Sequence, residues 1–258
     1  ETGTTLVLIG QVTKVGGIAG PRFLEHAVDA VVLFEGDRHM SVRALRAVKN
    51  RFGPTDEIGL FEMREDGLRE VRNASELLLK DRDGTPPGSV VACVVEGRRP
   101  LCVEVQALLV GEKRFPARRH AQGVDPRRAE LLAGVVGTLV VPEVAQRDVF
   151  VNVVGGLRVQ DRGLDLALAV AVMGAQLGTA LDPETAVVGE GGLRGEVRAV
   201  PRMPARLKEA RAMGFRRVFA PPGSPETDGI ELVVVRRAAH VLLPRGTGGA
   251  GGPPAANV

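Results

Sequence analysis

Lys49-Asn50-Arg51-Phe52-Gly53-Pro54-Thr55 is the stretch whose residue types and spacing point most directly to chemistry. Two cations two residues apart at a strand end project to the same side, and the Gly-Pro turn behind them fixes their reach. That arrangement suits clamping phosphate oxygens where charge develops. The bland alternative is a charged strand end before a turn. A second concentration of charge runs from Gly111 to Arg128. It holds six cations (113, 114, 118, 119, 127 and 128) against Glu112 and Asp125, a local charge of +4 in a chain of net +3. Arg98 and Arg99 lie in the hairpin just before it. Such a cluster is either a solvated loop or a surface that holds a phosphate backbone without reading its sequence. Arg127 and Arg128 fall in the first turn of an expected helix, where the dipole disfavours cations, so a use other than helix stability is implied.

Other chemistry is poorly supplied. The two cysteines, at 93 and 102, are too few for a disulfide scaffold or a four-cysteine zinc site and lack C-x-x-C spacing. They fall on strands expected to be adjacent and read as small core residues. His26, His39, His120 and His240 are scattered, so no metal site is expected. Gly189-x-Gly191 lacks a correctly placed third glycine and reads as a tight turn. There is no Gly-Lys dipeptide, hence no phosphate-cradling loop with its lysine. With no Trp or Tyr and eight Phe, stacking on nucleobases has little to work with. Twenty-nine of the 34 basic residues are Arg, which suits bidentate phosphate recognition and equally reflects a GC-rich coding bias. Apolar residues at 44% and charged residues at 25% are ordinary globular composition. The longest apolar runs fall short of a membrane span, and no basic region precedes the first of them, so a soluble, cytoplasmic protein is expected.

The elements that must position these residues can be read from periodicity and punctuation. Residues 5–10 read as a buried strand and 16–21 as a flexible glycine loop. A short helical turn at 24–27 precedes a second buried strand at 30–35 and a third at 41–49. Residues 58–63 and 67–70 read as a hairpin, and 73–88 as a polar stretch ending in a turn cluster. Strands follow at 89–96 and 100–109, then an arginine-rich loop. Helix 126–139 has Asp125 as its cap and Pro126 in its first turn. A strand at 148–154, a nearly all-apolar buried helix at 164–177, a strand at 185–188, a helix at 203–213 and strands at 217–220 and 231–235 complete the pattern. From 246 the tail is Gly/Pro/Ala-rich and flexible in expectation. The domains expected are 1–73 and 74–245, with 246–258 as tail.

Residues 49–53 match the KNRFG motif that marks the bacterial RadA (Sms) recombination ATPases, and are similar to the K-x-R-x-G element of DnaB-type helicases. The resemblance extends through Gln11-Val12-Thr13-Lys14, Ile18-Ala19-Gly20-Pro21-Arg22, Leu24-Glu25-His26 and Phe34-Glu35-Gly36-Asp37; family members often have His where Gln11 stands. Asp148-Val149-Phe150-Val151-Asn152-Val153-Val154-Gly155-Gly156 and Gly189 to Arg198 resemble the Lon-protease-like domain of the same family. The resemblance implies an α/β remnant of a RecA-like ATPase core followed by an α+β Lon-protease-like (ribosomal S5 domain 2-like) domain. It implies part of an ATP-driven, ring-forming, DnaB-like branch-migration motor in DNA repair and recombination with RecA.

In that setting Lys49 and Arg51 would act in trans on a neighbouring subunit's ATP. Arg118, Arg119 and Arg128, with Arg98, Arg99 and Lys14, would contact single-stranded DNA and recombination intermediates. ATP and Mg2+ belong to the full-length protein, zinc to an N-terminal region absent here, and neither cofactor to this chain alone. The Lon nucleophile and base positions fall on Gly163 and Arg206, a degenerate dyad, since arginine does not deprotonate. Lys208 sits about 200° around the helix from Arg206. The expected role of the domain is therefore a proteolytically inactive scaffold for a hexameric ring and a DNA platform. The alternatives are an active Ser/Lys peptidase and a pure oligomerisation module without DNA contact.

Overall fold

The computed structural model describes residues 3–10, 23–36, 42–111 and 117–243. Lys14, His39, the glycine loop at 16–21 and the tail from 246 lie outside the described residues. In chain order the elements are α1 (Phe23–Ala27), β1 (Ala30–Glu35), β2 (Val42–Asn50), β3 (Ile58–Arg64), β4 (Gly67–Glu70), α2 (Ala74–Leu79), β5 (Ser89–Glu96), β6 (Arg99–Val110) and β7 (Arg119–Gln122). Then come α3 (Pro126–Leu139), β8 (Asp148–Val153), α4 (Asp165–Leu177), β9 (Thr185–Val187), β10 (Glu190–Gly191), β11 (Val197–Arg198), α5 (Met203–Ala212), β12 (Arg217–Ala220) and β13 (Glu231–Val234). Short 3-10 turns occupy Pro142–Gln146, Arg162–Leu164 and Ala238–Val241. No helix among the described residues is long and apolar enough to cross a membrane.

Two larger sheets organise these elements. The first is an antiparallel meander, β1-β2-β3-β4. The second is a seven-stranded mixed sheet of order β13-β12-β9-β5-β6-β8-β7, in which β5, β6 and β8 pair antiparallel and the other pairings are parallel. The chain is thus mixed α/β. In β5 and β6 the two-residue period sends Val90, Ala92, Val94, Leu101, Val103 and Val105 to a core shared with α3 and α4. Val91, Cys93 and Cys102 point the other way, to a second core with Met203, Leu207 and Ala210 of α5. Cys93 and Cys102 are direct cross-strand neighbours, both fully buried, with sulfurs 3.8 Å apart. Their contact and their burial push the Cys102 thiol well above its ordinary range.

Several expectations need correction. Residues 5–10 have no strand, and Leu6, Val7, Leu8 and Ile9 are exposed, Ile9 at 97%. A run of β-formers needs a neighbour to satisfy its backbone, and no described strand lies beside this one. β1 is not buried: it is an edge strand alternating exposed and half-buried residues. Within the polar stretch at 73–88 lies α2, capped by Asn73, whose Oδ1 accepts from Glu76 N (3.2 Å) while its Nδ2 donates to Glu76 Oε2 (3.0 Å). The cap was visible as Asn73 followed three residues on by Glu76. The arginine-rich loop contains β7, which extends the large sheet at its edge.

Candidate functional site

Gly163 and Arg206, the two positions that the resemblance matches to a protease dyad, meet in space. Asp161 caps the 3-10 turn Arg162–Leu164 that leads into α4, with Oδ1 accepting from Gly163 N (3.1 Å). Arg206 enters from α5 and is 2% exposed. Its Nη1 and Nη2 fork onto the Asp161 carboxylate, the second bond at 3.0 Å. Nη1 also donates to Cys93 O (2.9 Å), and Nε to Pro201 O (2.9 Å). A Cβ on Gly163 would collide with the Arg206 guanidinium and lie 2.9 Å from Asp161 Oδ2. The space beside Gly163 is thus filled by a planar, permanently charged group bonded to Asp161 and two backbone carbonyls. Lys208 is exposed on the far side of α5.

A second fork closes the same turn from its other end. Asp165, 2% exposed, accepts from Arg128 Nε (2.9 Å) and Nη2 of α3, and from Gly191 N (3.1 Å). Burial pushes the Asp165 carboxyl up against the pull of Arg128, and the shared bond raises the Arg128 guanidinium in turn. Upstream, buried Glu96 accepts from Gln160 N (2.7 Å) and from Arg46 Nη1 (2.7 Å), and Arg46 Nε reaches Glu35 at 3.0 Å. One polar chain therefore runs from β1 and β2 through Glu96 to the turn held by Arg206. Sequence reasoning missed it, although Asp161 and Asp165 flanking Gly163 were its signal.

Lys49 and Arg51 both reach toward residues 25–29. Lys49 Nζ spends its three donors on Glu25 O (2.8 Å), His26 O (3.3 Å) and Val28 O (2.7 Å), tying down the C-terminal end of α1. Arg51 is exposed, its side chain 63% accessible, and meets Asp29 at 3.1 Å, a surface pair of about 0–1 kcal/mol. The following turn is pinned by Asn50, whose Oδ1 accepts from Phe52 N (3.2 Å) and whose Nδ2 donates to Pro54 O (3.3 Å). Gly53 approaches so closely that a Cβ would sit 2.8 Å from Asn50 Nδ2. Arg51 is therefore the cation of this pair that can be presented outward at low cost.

The arginine cluster divides the same way. Arg119 donates to Arg147 O (2.5 Å), Val144 O (3.0 Å) and Arg118 O (3.0 Å), and burial lowers its guanidinium from the usual value. Arg99 holds Val71 O (2.8 Å) and Arg72 O. Arg98 pairs at the surface with Asp56 (3.0 Å), which Arg202 also contacts at 3.2 Å. Burial pushes the Asp56 carboxyl up, but these arginines outweigh it and hold it below the usual range. Arg118 is exposed, and its guanidinium has no hydrogen-bond or ion-pair partner among the described residues. Of the six cations expected on DNA, Arg119, Arg128 and Arg99 are engaged internally, Lys14 lies outside the described residues, and Arg118 is the most available.

Over 253 residues, 95% of this chain, the sequence is 47% identical to the DNA repair protein RadA of Halalkalibacterium halodurans. It is 43% identical over 93% of the chain to the DNA repair protein RadA of Bacillus subtilis, and 46% identical over 88% to that of Brucella abortus. The chain belongs to the RadA family. It spans about half the length of these relatives: 55%, 53% and 48% respectively. Residues 139–224 also match the family model described as Subunit ChlI of Mg-chelatase. In this RadA-family chain that match contains Gly163, Asp165 and Arg206.

Proposed function

We propose that this chain is the part of a DNA-repair ATPase that builds the ring and contacts single-stranded DNA, with no peptidase activity of its own. The observation that carries the reading is the buried Arg206–Asp161 fork where a Ser/Lys dyad would stand. In this reading residues 74–245 form a Lon-like scaffold, residues 1–73 close a RecA-like core, and the whole works in the cytoplasm beside RecA. ATP with Mg2+ would supply the driving reaction and be held by residues outside this chain, which has no Gly-Lys loop. Exposed Arg51 fits a phosphate brought by a neighbouring subunit. Lys49, bonded to three carbonyls, fits as the residue that holds the 25–29 segment against which Arg51 rests.

Two outcomes test the reading. Casein incubated with the chain should remain intact; cleavage that disappears on Arg206→Ala would contradict the assignment of the dyad positions. On single-stranded DNA, log K should fall linearly with log salt, each neutralised phosphate adding about −0.7 to the slope. Arg118→Ala should flatten that slope by about 0.7 equally on any sequence, whereas Arg119→Ala should act on stability instead. Identical slopes for wild type and Arg118→Ala would reduce the cluster to a solvated face.

A further inference from the structure

The large sheet is covered unevenly. α2 and α5 pack over one face along β5 and the start of β6, but no described element covers the outward side chains from Gln106 onward on β6 and those on β8 and β7. Strand register lines these up in rows. Leu108 lies opposite Phe150, and Phe150 beside His120. Leu108 is 60% and Phe150 39% exposed, large apolar groups on an open surface. The His120 and Phe150 rings stack with centroids 4.9 Å apart and planes 11° from parallel. The next row is amide throughout: Gln106 opposite Asn152, Asn152 beside Gln122. Gln106 Nε2 donates to the buried Glu104 carboxylate (3.1 Å), which sets the amide so that its oxygen is left to accept from outside. On the other side of the aromatic row, at the start of β7, stands exposed Arg118, its guanidinium without a partner among the described residues. Asp148 across from it accepts from the Arg118 backbone N–H (2.7 Å).

Together with Pro86 and Pro87 these rows line a groove of about 640 Å³ that has no acidic side chain in its lining. A stacked aromatic pair that a base can extend, a row of amide donors and acceptors and a cation one register step away match an unstacked nucleotide: stacking face, base edge and phosphate. A peptide strand would use backbone pairing at the sheet edge, which these face-directed side chains do not supply.

We propose that this half-face is a base-stacking platform for single-stranded nucleic acid, with a base stacked on the outer face of His120 so that it extends the His120–Phe150 pair, Gln106, Asn152 and Gln122 at its edge and Arg118 on its phosphate. The proposal deepens, and rests on, the DNA-contact reading above. It also reverses the expectation that stacking has little to work with, since register brings together two rings that are 30 residues apart in sequence.

The test is fluorescence anisotropy of the 258-residue chain on a labelled oligothymidylate and on a matched oligomer of abasic sites, which keeps the phosphates and removes the bases. The oligothymidylate should bind about tenfold more tightly than the abasic strand at the same salt. Phe150→Ala should abolish that preference with the salt slope unchanged, because stacking releases no counterions. Phe150→Tyr should keep the preference, and Arg118→Ala should flatten the slope on both strands. Equal affinity of wild type for the two strands, or a preference that survives Phe150→Ala, would overturn the platform while leaving a phosphate-binding surface. No binding to either strand would remove both, and association of chains that Phe150→Ala abolishes without DNA would assign the face to a protein contact. The comparison of the two strands on wild-type protein decides the matter even if a variant fails to fold.

Discussion

Arg206→Ala should lower the melting temperature of this chain by about 10 °C. The substitution leaves Asp161 charged, 11% exposed and without its fork, and removes the donors that Cys93 O and Pro201 O accept from. Breaking a buried ion pair by deleting one partner costs about 3–5 kcal/mol. At this chain length each kcal/mol corresponds to about 2–4 °C. Asp161→Asn in the same background should recover part of the loss, because the orphaned charge goes with it, and the non-additivity of the two changes measures their coupling. Differential scanning calorimetry of the two single variants and the double variant gives the result directly. A melting temperature for Arg206→Ala within about 1 °C of wild type would show that the fork contributes nothing and that the site is not held by it.

In a RadA protein of full length, Arg51→Ala should reduce ATP turnover by about 10³-fold or more, in line with cations supplied across a subunit boundary. Its surface pair with Asp29 contributes little, so the melting temperature should not move. Lys49→Ala should also slow turnover, but through a different cause: three carbonyls at the end of α1 lose their donor, and the segment carrying Asp29 loosens beneath Arg51. The two variants therefore separate by a thermal melt that only Lys49→Ala shifts. Wild-type turnover in both would remove these residues from the reaction.

What the sequence disclosed depended on whether a residue's partner was local. α3 was legible to the residue, because Asp125 and Pro126 are start signals that act within one turn, and Asp125 Oδ1 does accept from Arg127 N (2.8 Å). The cysteines were legible because strands eight and twelve residues long joined by a tight turn must place them in register. Arg206 and Gly163 could be matched to dyad positions, but their contact with Asp161 is a long-range fact that no local pattern carries. The arginine cluster shows the limit most plainly. Counting charges cannot separate Arg118, which faces solvent, from Arg119, which faces the carbonyls of a 3-10 turn, or from Arg128, which faces Asp165. Residues 5–10 show the converse: strand propensity alone does not make a strand where no described neighbour pairs with it.

In the function proposed above, this chain supports both a ring and single-stranded DNA. Multi-angle light scattering of the chain, alone and with a short single strand, tests it most directly. The predicted result is a particle of about six times the 27.3 kDa chain mass that carries the DNA with it through the column. A 27.3 kDa monomer from which the DNA separates would contradict it.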